Sequence, residues 1–341
     1  MKKSLMTLGV LALFVLMAYG QEKKFALYSV AFYNMENLFD TIHDEGKNDY
    51  EYLPNGTNQW NTMKYKAKLK NMSEILSLLS TDKLPMGPAI IGVSEIENYR
   101  VLEDILKQPA LADRGYQYVH YEGADQRGVD CAFFYNPKLF ELTNSKLVPY
   151  VYINDTVHKT RGFLIASGNI AGEKMHFIVN HWPSRAAASP ARERAGEQVR
   201  AIKDSLLRED SAAKIVIMGD MNDDPMDESM AVALGAKRKP ADVGPTDLYN
   251  PWWDTLKKGY GTLMYKGKWN LFDQIVFTGN LLGTDRSTLK FYKHEIFRRD
   301  FMFQKEGKYK GYPKRTQAGG VWLNGYSDHL PTIIYLIKEV K

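Results

Sequence analysis

The sequence predicts an α/β fold of mixed β-sheets with helices on the outside, in one domain. Three observations carry this. Seven short apolar runs are bounded by turn-forming residues, the pattern of buried strands. Two longer segments repeat their apolar residues at helical spacing. Helices separate some strands, while other strands follow one another directly, which argues for mixed sheets.

In chain order, the runs FALYSVAFYN, AIIGVSE, VDCAFFYN, HFIVN, KIVIMG, LFDQIVF and TIIYLI read as strands. Between them, NTMKYKAKLKNMSEILSLLS places Leu69, Met72, Leu76 and Leu79 on one helical face, with Lys64, Lys66, Lys68 and Lys70 read as a solvated face. ARERAGEQVRAIKDSLL does the same with Ala195, Val199, Ile202 and Leu206. The stretch from Asp44 to Trp60 lacks periodicity and contains Pro-Asn-Gly, so it reads as a long loop, the kind that tends to be functional. A 341-residue chain that is 44% hydrophobic and 12% aromatic has material for a large core, which excludes a disordered or low-complexity chain.

Lys2 and Lys3 precede an apolar run from Leu5 to Met17, and Ala18 and Gly20 form a small-x-small site. This is the pattern of a signal peptide over residues 1–20, too short for a membrane span of about 20 apolar residues. The expectation is an exported protein, periplasmic or extracellular, without stable membrane insertion after cleavage, whose domain occupies residues 21–341. Cys131 is the only cysteine, which excludes an intrachain disulfide and a cysteine-based metal cluster. The formal charge of +5 falls to +3 without Lys2 and Lys3, permitting an anionic substrate without requiring one. From Lys293 to Arg315 basic residues interleave with Phe297, Phe301, Phe303, Tyr309 and Tyr312. That composition suits either a nucleic-acid contact surface or an ordinary loop.

The strand ends carry the chemistry. Asn34 and Glu36 close the first run, Glu95 and Glu97 the second, His181 the fourth, and Asp220 and Asn222 the fifth; Asp273 opens the sixth, and Asp328 and His329 precede the last. Polar groups left unpaired in a core are costly, so this recurrence points to a shared site. On an extended strand end, Asp220 and Asn222 face the same way. Oxygen donors predominate, without a nucleophile elbow or a His-x-x-x-His pair, which suits a hard cation such as Mg²⁺.

The ordered set Asn34, Glu95, RGVD (Arg127 to Asp130), NHWPS with His181, GDMND, FDQI with Asp273, and SDHLP resembles the endonuclease/exonuclease/phosphatase superfamily, in a secreted bacterial form. The resemblance spans almost the whole chain beyond the leader. It implies a four-layer α/β/β/α sandwich of two packed mixed sheets flanked by helices. It also implies hydrolysis of phosphoesters with Mg²⁺, for which Mn²⁺ can substitute. On this resemblance Asn34, Glu95 and Asp328 are the expected metal ligands. Asp220 and Asn222 position the attacking water and phosphoryl oxygens. His329, oriented by Asp273, is a general base or transition-state stabiliser, and His181 contacts the phosphoryl oxygens or leaving group. Glu36, Arg127 and Arg185 are candidates for phosphate or supporting contacts, and Asp130 for orienting His181. His43, His120, His158, His176 and His294 read as structural or surface residues.

Within this chemistry the first expectation is a phosphodiesterase or endonuclease, reaching nucleic acid through Lys293–Arg315. The alternative is a phosphatase or a sphingomyelinase-like headgroup hydrolase, with Pro251-Trp252-Trp253 as a candidate membrane loop. A non-catalytic protein on the same fold is disfavoured by the intact residue set. A glycosidase using Glu95 and Asp220 would leave the amides and histidines unexplained.

Overall fold

The computed structural model describes residues 23–153, 155 and 157–340; the leader over 1–20 lies outside them. In chain order the elements are β1 (Lys24–Leu38), α1 (Thr62–Leu78), β2 (Ile90–Ile96), α2 (Tyr99–Leu106), β3 (Gln117–His120), β4 (Asp130–Tyr135), β5 (Glu141–Val148), β6 (Phe163–Ile170), β7 (Glu173–His181), α3 (Ser189–Glu209) and β8 (Lys214–Asp220). There follow β9 (Ala236–Lys237), β10 (Leu248–Tyr249), α4 (Trp253–Lys257), β11 (Leu263–Tyr265), β12 (Lys268–Asn270), β13 (Asp273–Thr278), β14 (Lys290–Ile296), β15 (Gln317–Ala318), β16 (Val321–Trp322) and β17 (Thr332–Val340).

One sheet has the order β14-β17-β1-β2-β4-β3 and the other β5-β6-β7-β8-β13-β10-β9. Both are mixed: β1 runs parallel to β2 and β7 to β8, while β17, β4 and β13 run antiparallel to their neighbours. The two sheets pack face to face. Val30, Phe32, Phe133 and Ile334 of the first meet Phe177, Val179, Met218 and Ile275 of the second in one apolar layer. Strand alternation turns Ala31, Tyr33 and Val93 to the opposite face, where they meet Leu69, Met72 and Ile75 of α1 and Val101 and Ile105 of α2. On the other side Ala195, Val199 and Leu206 of α3 cover Ile178, Ile215 and Ile217. The result is the expected four-layer sandwich. The sheets approach so closely that a Cβ on Gly92 would lie 2.5 Å from Met218 Sδ.

The strands missed by pattern are mainly peripheral, with one exception: β6 is largely buried between β5 and β7. β5 mixes exposed and half-buried residues, and β14 (KFYKHEI) is a Lys-bearing edge strand whose C-terminal half overlaps the segment read as a basic loop. Charges of this kind protect a sheet edge from further pairing. No helix among the described residues is long and apolar enough to cross a membrane. Trp252 is buried and donates Nε1–H to Ile275 O, which removes it from the candidate membrane loop.

Candidate active site

Strand direction gathers the polar ends at one end of the sandwich. The C-terminal ends of β1, β2, β7 and β8 meet the N-terminal ends of β13 and β17, because the latter two run antiparallel. In the second sheet the register sets His181 beside Asp220 and Asp220 beside Asp273. In the first it sets Asn34 beside Ser94, the residue before Glu95. Close packing of backbones delivers Asp220: a Cβ on the preceding Gly219 would lie 2.4 Å from Asn180 O on the neighbouring strand. Glu36, Asn37, Glu95 and Asn222 all hold left-handed backbone conformations (φ 45°, 51°, 58° and 52°). Strain concentrated in this way at converging strand ends marks a site that the surrounding fold over-determines.

At the centre Asn34 bridges two carboxylates. Its Nδ2 donates to Glu95 Oε1 at 3.1 Å and to Asp220 Oδ2 at 3.0 Å. Its Oδ1 accepts from the Glu36 N–H at 2.8 Å, which fixes the amide orientation. His181 Nε2 lies 3.6 Å from Glu95 Oε1 and 3.8 Å from Asp220 Oδ2. Burial holds the His181 pKa well below its ordinary value, reinforced by Arg161 and Arg127, so this imidazole is neutral.

On the other side of Asp220, His329 Nε2 lies 3.8 Å from Asp220 Oδ2, and His329 Nδ1 lies 2.7 Å from Asp273 Oδ2. Burial opposes charge on His329, but Asp273 and Asp220 outweigh it and raise its pKa well above the ordinary value. The two histidines therefore differ in charge because only one has a carboxylate bonded to it. Asp220 is pushed up to about 7 by burial, with His329 opposing and Asp273 and Glu95 adding to the rise.

Several residues take positions other than those expected. Asn34 turns its N–H donors to the two acids while its oxygen accepts from the Glu36 N–H, so it braces the acids. Asp328 stands apart from the Glu95–His181–Asp220 group, with Oδ2 2.9 Å from Arg315. Asn222 lies in a turn and not on an extended strand end: its N–H donates to Asp220 Oδ1 and its Nδ2 to Trp182 O. Glu36 points away from Glu95, accepting from Arg315 Nε at 2.8 Å and Thr316 N at 2.7 Å. Asp130 orients His120, not His181: its Oδ2 accepts from Gly123 N and lies 3.1 Å from His120 Nε2, while His181 Nδ1 has no partner. Arg185 is taken up by Asp223, Asp224 and Asp227 and by Asn222 O, which makes it a brace for the turn holding Asn222. Arg127 remains half exposed beside Asp125.

Sequence reasoning also missed buried cations. Lys68, read as part of a solvated face, is fully buried and donates to Tyr326 O and, at 2.5 Å, to Thr316 Oγ1. Its signal was present: it falls three residues after Tyr65 and four before Met72, on the buried stripe of α1. Burial lowers its pKa to about 8 against the pull of Glu36 and Asp328. Arg161, just before β6, is buried and donates to Asp125 Oδ2 and Trp182 O, leaving Nε without a partner. The Trp182 carbonyl thus joins Arg161 to Asn222. Cys131 is buried and burial pushes its thiol pKa up, consistent with a packing role.

The donor set fits a divalent cation. One ligand atom each from Glu95, His181 and Asp220 lies within 4.8 Å of the others. Buried Asp220 and partly buried Glu95 share one amide, and burial, with Asp273 and Glu95 adding to it, pushes the Asp220 pKa up to about 7, a cost that a hard cation relieves.

Fold and site together define a DNase I-like phosphoesterase scaffold. The chain belongs to the Endonuclease/Exonuclease/phosphatase family, whose profile matches residues 29–338. No curated protein matches the sequence. Among solved structures, an endonuclease/exonuclease/phosphatase family protein from Bacteroides thetaiotaomicron superposes with a TM-score of 0.58 at 15% identity, covering 93% of this chain and 97% of that one. A mannosyl-6-phosphatase from the same organism gives 0.56 at 14%, covering 91% and 99%. D. rerio TDP2 complexed with a single-strand DNA product gives 0.55 at 14%, also covering 91% and 99%. At such identities the likeness is one of fold.

Proposed function

We propose that this chain is an exported, divalent-metal-dependent phosphoester hydrolase, with a single catalytic domain over residues 21–341. The observation that carries the reading is the meeting of Glu95, Asp220 and His181 with the Asp273–His329 pair at one end of the sandwich. A bound Mg²⁺ or Mn²⁺ would be held at Glu95 and would offset charge on the phosphoryl group. The chain's own residues supply the rest. Ionised Asp220 accepts a proton from the attacking water. Protonated His329, held by Asp273, places a positive charge where the transition state gains negative charge. Neutral His181 donates a hydrogen bond to a phosphoryl or leaving-group oxygen. Asn34 fixes the spacing of the two acids.

Two substrate readings follow. A phosphodiesterase acting on nucleic acid rests on the Lys293–Arg315 segment. Of its cations, Arg298 packs on the Tyr260, Trp269 and Phe303 rings, Arg299 on Phe297 and Lys293 on Tyr335, Arg315 is ion-paired and Lys314 is partly buried, which leaves Lys305, Lys308 and Lys310 at an exposed tip. A phosphatase acting on a small phosphomonoester is favoured by a polar cleft of about 410 Å³ beside the site. The fold carries both chemistries among its structural neighbours, one a mannosyl-6-phosphatase and one holding a DNA product.

The test uses purified protein and a panel of p-nitrophenyl phosphate, bis-p-nitrophenyl phosphate, hexose phosphates and single- and double-stranded DNA. Turnover that disappears on metal stripping and returns with Mg²⁺ or Mn²⁺ is expected. Full activity of stripped protein in EDTA, or none on any phosphoester with metal, overturns the reading. Export predicts a secreted product beginning at Gln21.

A further inference from the structure

We propose that the cleft between the 51–60 loop and the 309–320 segment holds the alcohol portion of the substrate and selects a small, uncharged, hydroxyl-rich group such as a hexose. The proposal deepens the phosphoester-hydrolase reading and rests on it for the placement of the phosphate.

The cleft begins at the catalytic end. Asn37, in its wall, donates its N–H to Glu95 Oε2 at 3.0 Å. Its opposite wall is tied to the same strand end, because Glu36 accepts from both Arg315 and Thr316. Arg315 in turn pairs with Asp328, the neighbour of His329. A ligand group in the cleft therefore lies against the elements that position the acids and the imidazole.

The cleft is also built in advance. Tyr52 stacks on Phe39 with centroids 4.2 Å apart, and Trp60 meets Trp322 edge-on at 5.7 Å. The buried Phe39, Tyr52 and Trp60 rings, with partly buried Trp322, anchor the loop that supplies Glu51 and Asn58. A volume of about 410 Å³ falls in the roughly 300–1,000 Å³ range of small-molecule sites.

Its chemistry is that of a hydroxyl-binding surface. Glu51, Asn58, Gln317 and the half-exposed Tyr309 supply carboxylate, amide and phenol groups. Gln317 Oε1 is buried without a hydrogen-bond partner, an acceptor the fold leaves unmet. The one cation in the lining, Arg315, is already paired with two carboxylates. With the exposed Glu51 added, the cleft disfavours a second phosphate, as the next link of a polynucleotide would present. A site built to hydrogen-bond hydroxyls rejects an alcohol lacking them, because its polar groups then stay unpaired.

The experiment pairs turnover with binding. The Asn58→Ala/Gln317→Ala double variant should lower kcat/KM for mannose 6-phosphate or glucose 6-phosphate, relative to p-nitrophenyl phosphate, by at least about tenfold, mostly through KM. In EDTA, where turnover stops, calorimetric titration of wild type with the same hexose phosphates should show binding that the variant weakens by a similar factor. Binding without hydrolysis on restoring metal would sink the hydrolase reading and leave the cleft assignment standing. Hydrolysis of p-nitrophenyl phosphate with no binding of either hexose phosphate would overturn the cleft assignment and leave the hydrolase. An unchanged substrate ratio in the variant, or tighter binding of a single-stranded oligonucleotide lost in the same variant, would also overturn it. Tyr309→Phe, which removes one hydroxyl from an exposed side chain, gives a second test: a shift in the same ratio is expected, and its absence together with a silent double variant refutes the proposal.

Discussion

His329 Nδ1 lies 2.7 Å from Asp273 Oδ2, and Asp273 sits in register with Asp220 on the neighbouring strand. One carboxylate thus fixes the ring while the other faces its free nitrogen at 3.8 Å. The pair keeps His329 protonated in a buried setting where an isolated imidazole would be neutral, as His181 is.

Asp273→Asn should therefore lower kcat by about a hundredfold, the scale of a lost proton-holding group. The sign of the pH effect follows from the raised pKa. Removing the carboxylate lowers the His329 pKa, so the imidazolium is lost at lower pH and the alkaline limb of the kcat profile moves down. The pH profile and an NMR titration of the His329 ring measure both. A profile that keeps its alkaline limb would separate Asp273 from catalysis.

Asp220→Asn and Glu95→Gln should fail differently. Asp220 faces both histidines and is placed to take the water proton, so its amide should cost at least about a hundredfold in kcat at saturating metal. Glu95 is the less enclosed of the two acids, held by Asn34 Nδ2 and Asn37 N–H. Its amide should raise the Mg²⁺ concentration for half-maximal rate, with much of kcat recovered when metal is added. Metal titrations of the two variants distinguish a proton acceptor from a ligand.

Lys68→Met tests the buried ionic cluster under the cleft. Lys68 has its Nζ on Thr316 and Tyr326 O, and its charge opposes burial of Glu36, whose pKa burial and Asp328 raise to about 7. Removing one partner of a buried charge pair leaves the other uncompensated and typically costs about 3–5 kcal/mol. Lys68 acts on Glu36 through space and not in a direct ion pair, and Arg315 stays beside Glu36, so a loss of no more than about 3 kcal/mol by chemical denaturation is expected. Lys68→Met with Glu36→Gln should cost less than the sum of the two single changes, since the double variant buries no unpaired charge.

These cases show what the sequence discloses. Strand and helix periodicity exposed most of the central elements, β6 excepted, and the alternation of inward Val30 and Phe32 with outward Ala31 and Tyr33 is the reason: both faces of the strand are buried. Edge strand β14 escaped notice because Lys290 and Lys293 protect an edge instead of filling a core. Residue types at strand ends disclosed which groups meet, but not their bonds. The orientation of Asn34 depends on a backbone N–H two residues on, and the choice of Asp130 for His120 depends on how β3 pairs with β4. Those are facts of three-dimensional register, invisible to spacing along the chain.

The basic segment offers the last test. Arg298 is packed on aromatic rings, so neutralising it would disturb a core contact as well as a charge. Lys305, Lys308 and Lys310 lie exposed on the tip that also carries Tyr309. They form no part of the acid and histidine cluster. A single-stranded oligonucleotide that pairs its phosphates with them releases counterions at about 0.7 per contact, giving a log–log salt slope of roughly −2 for three lysines. Binding should be weak and steeply salt-dependent. In the Lys305→Gln/Lys308→Gln/Lys310→Gln variant the slope should approach zero while hydrolysis of p-nitrophenyl phosphate persists. Fluorescence anisotropy across a salt series measures the slope. A slope that survives the triple substitution would place the polyanion contact elsewhere on the surface, since these side chains are the charges the segment leaves facing solvent at its tip.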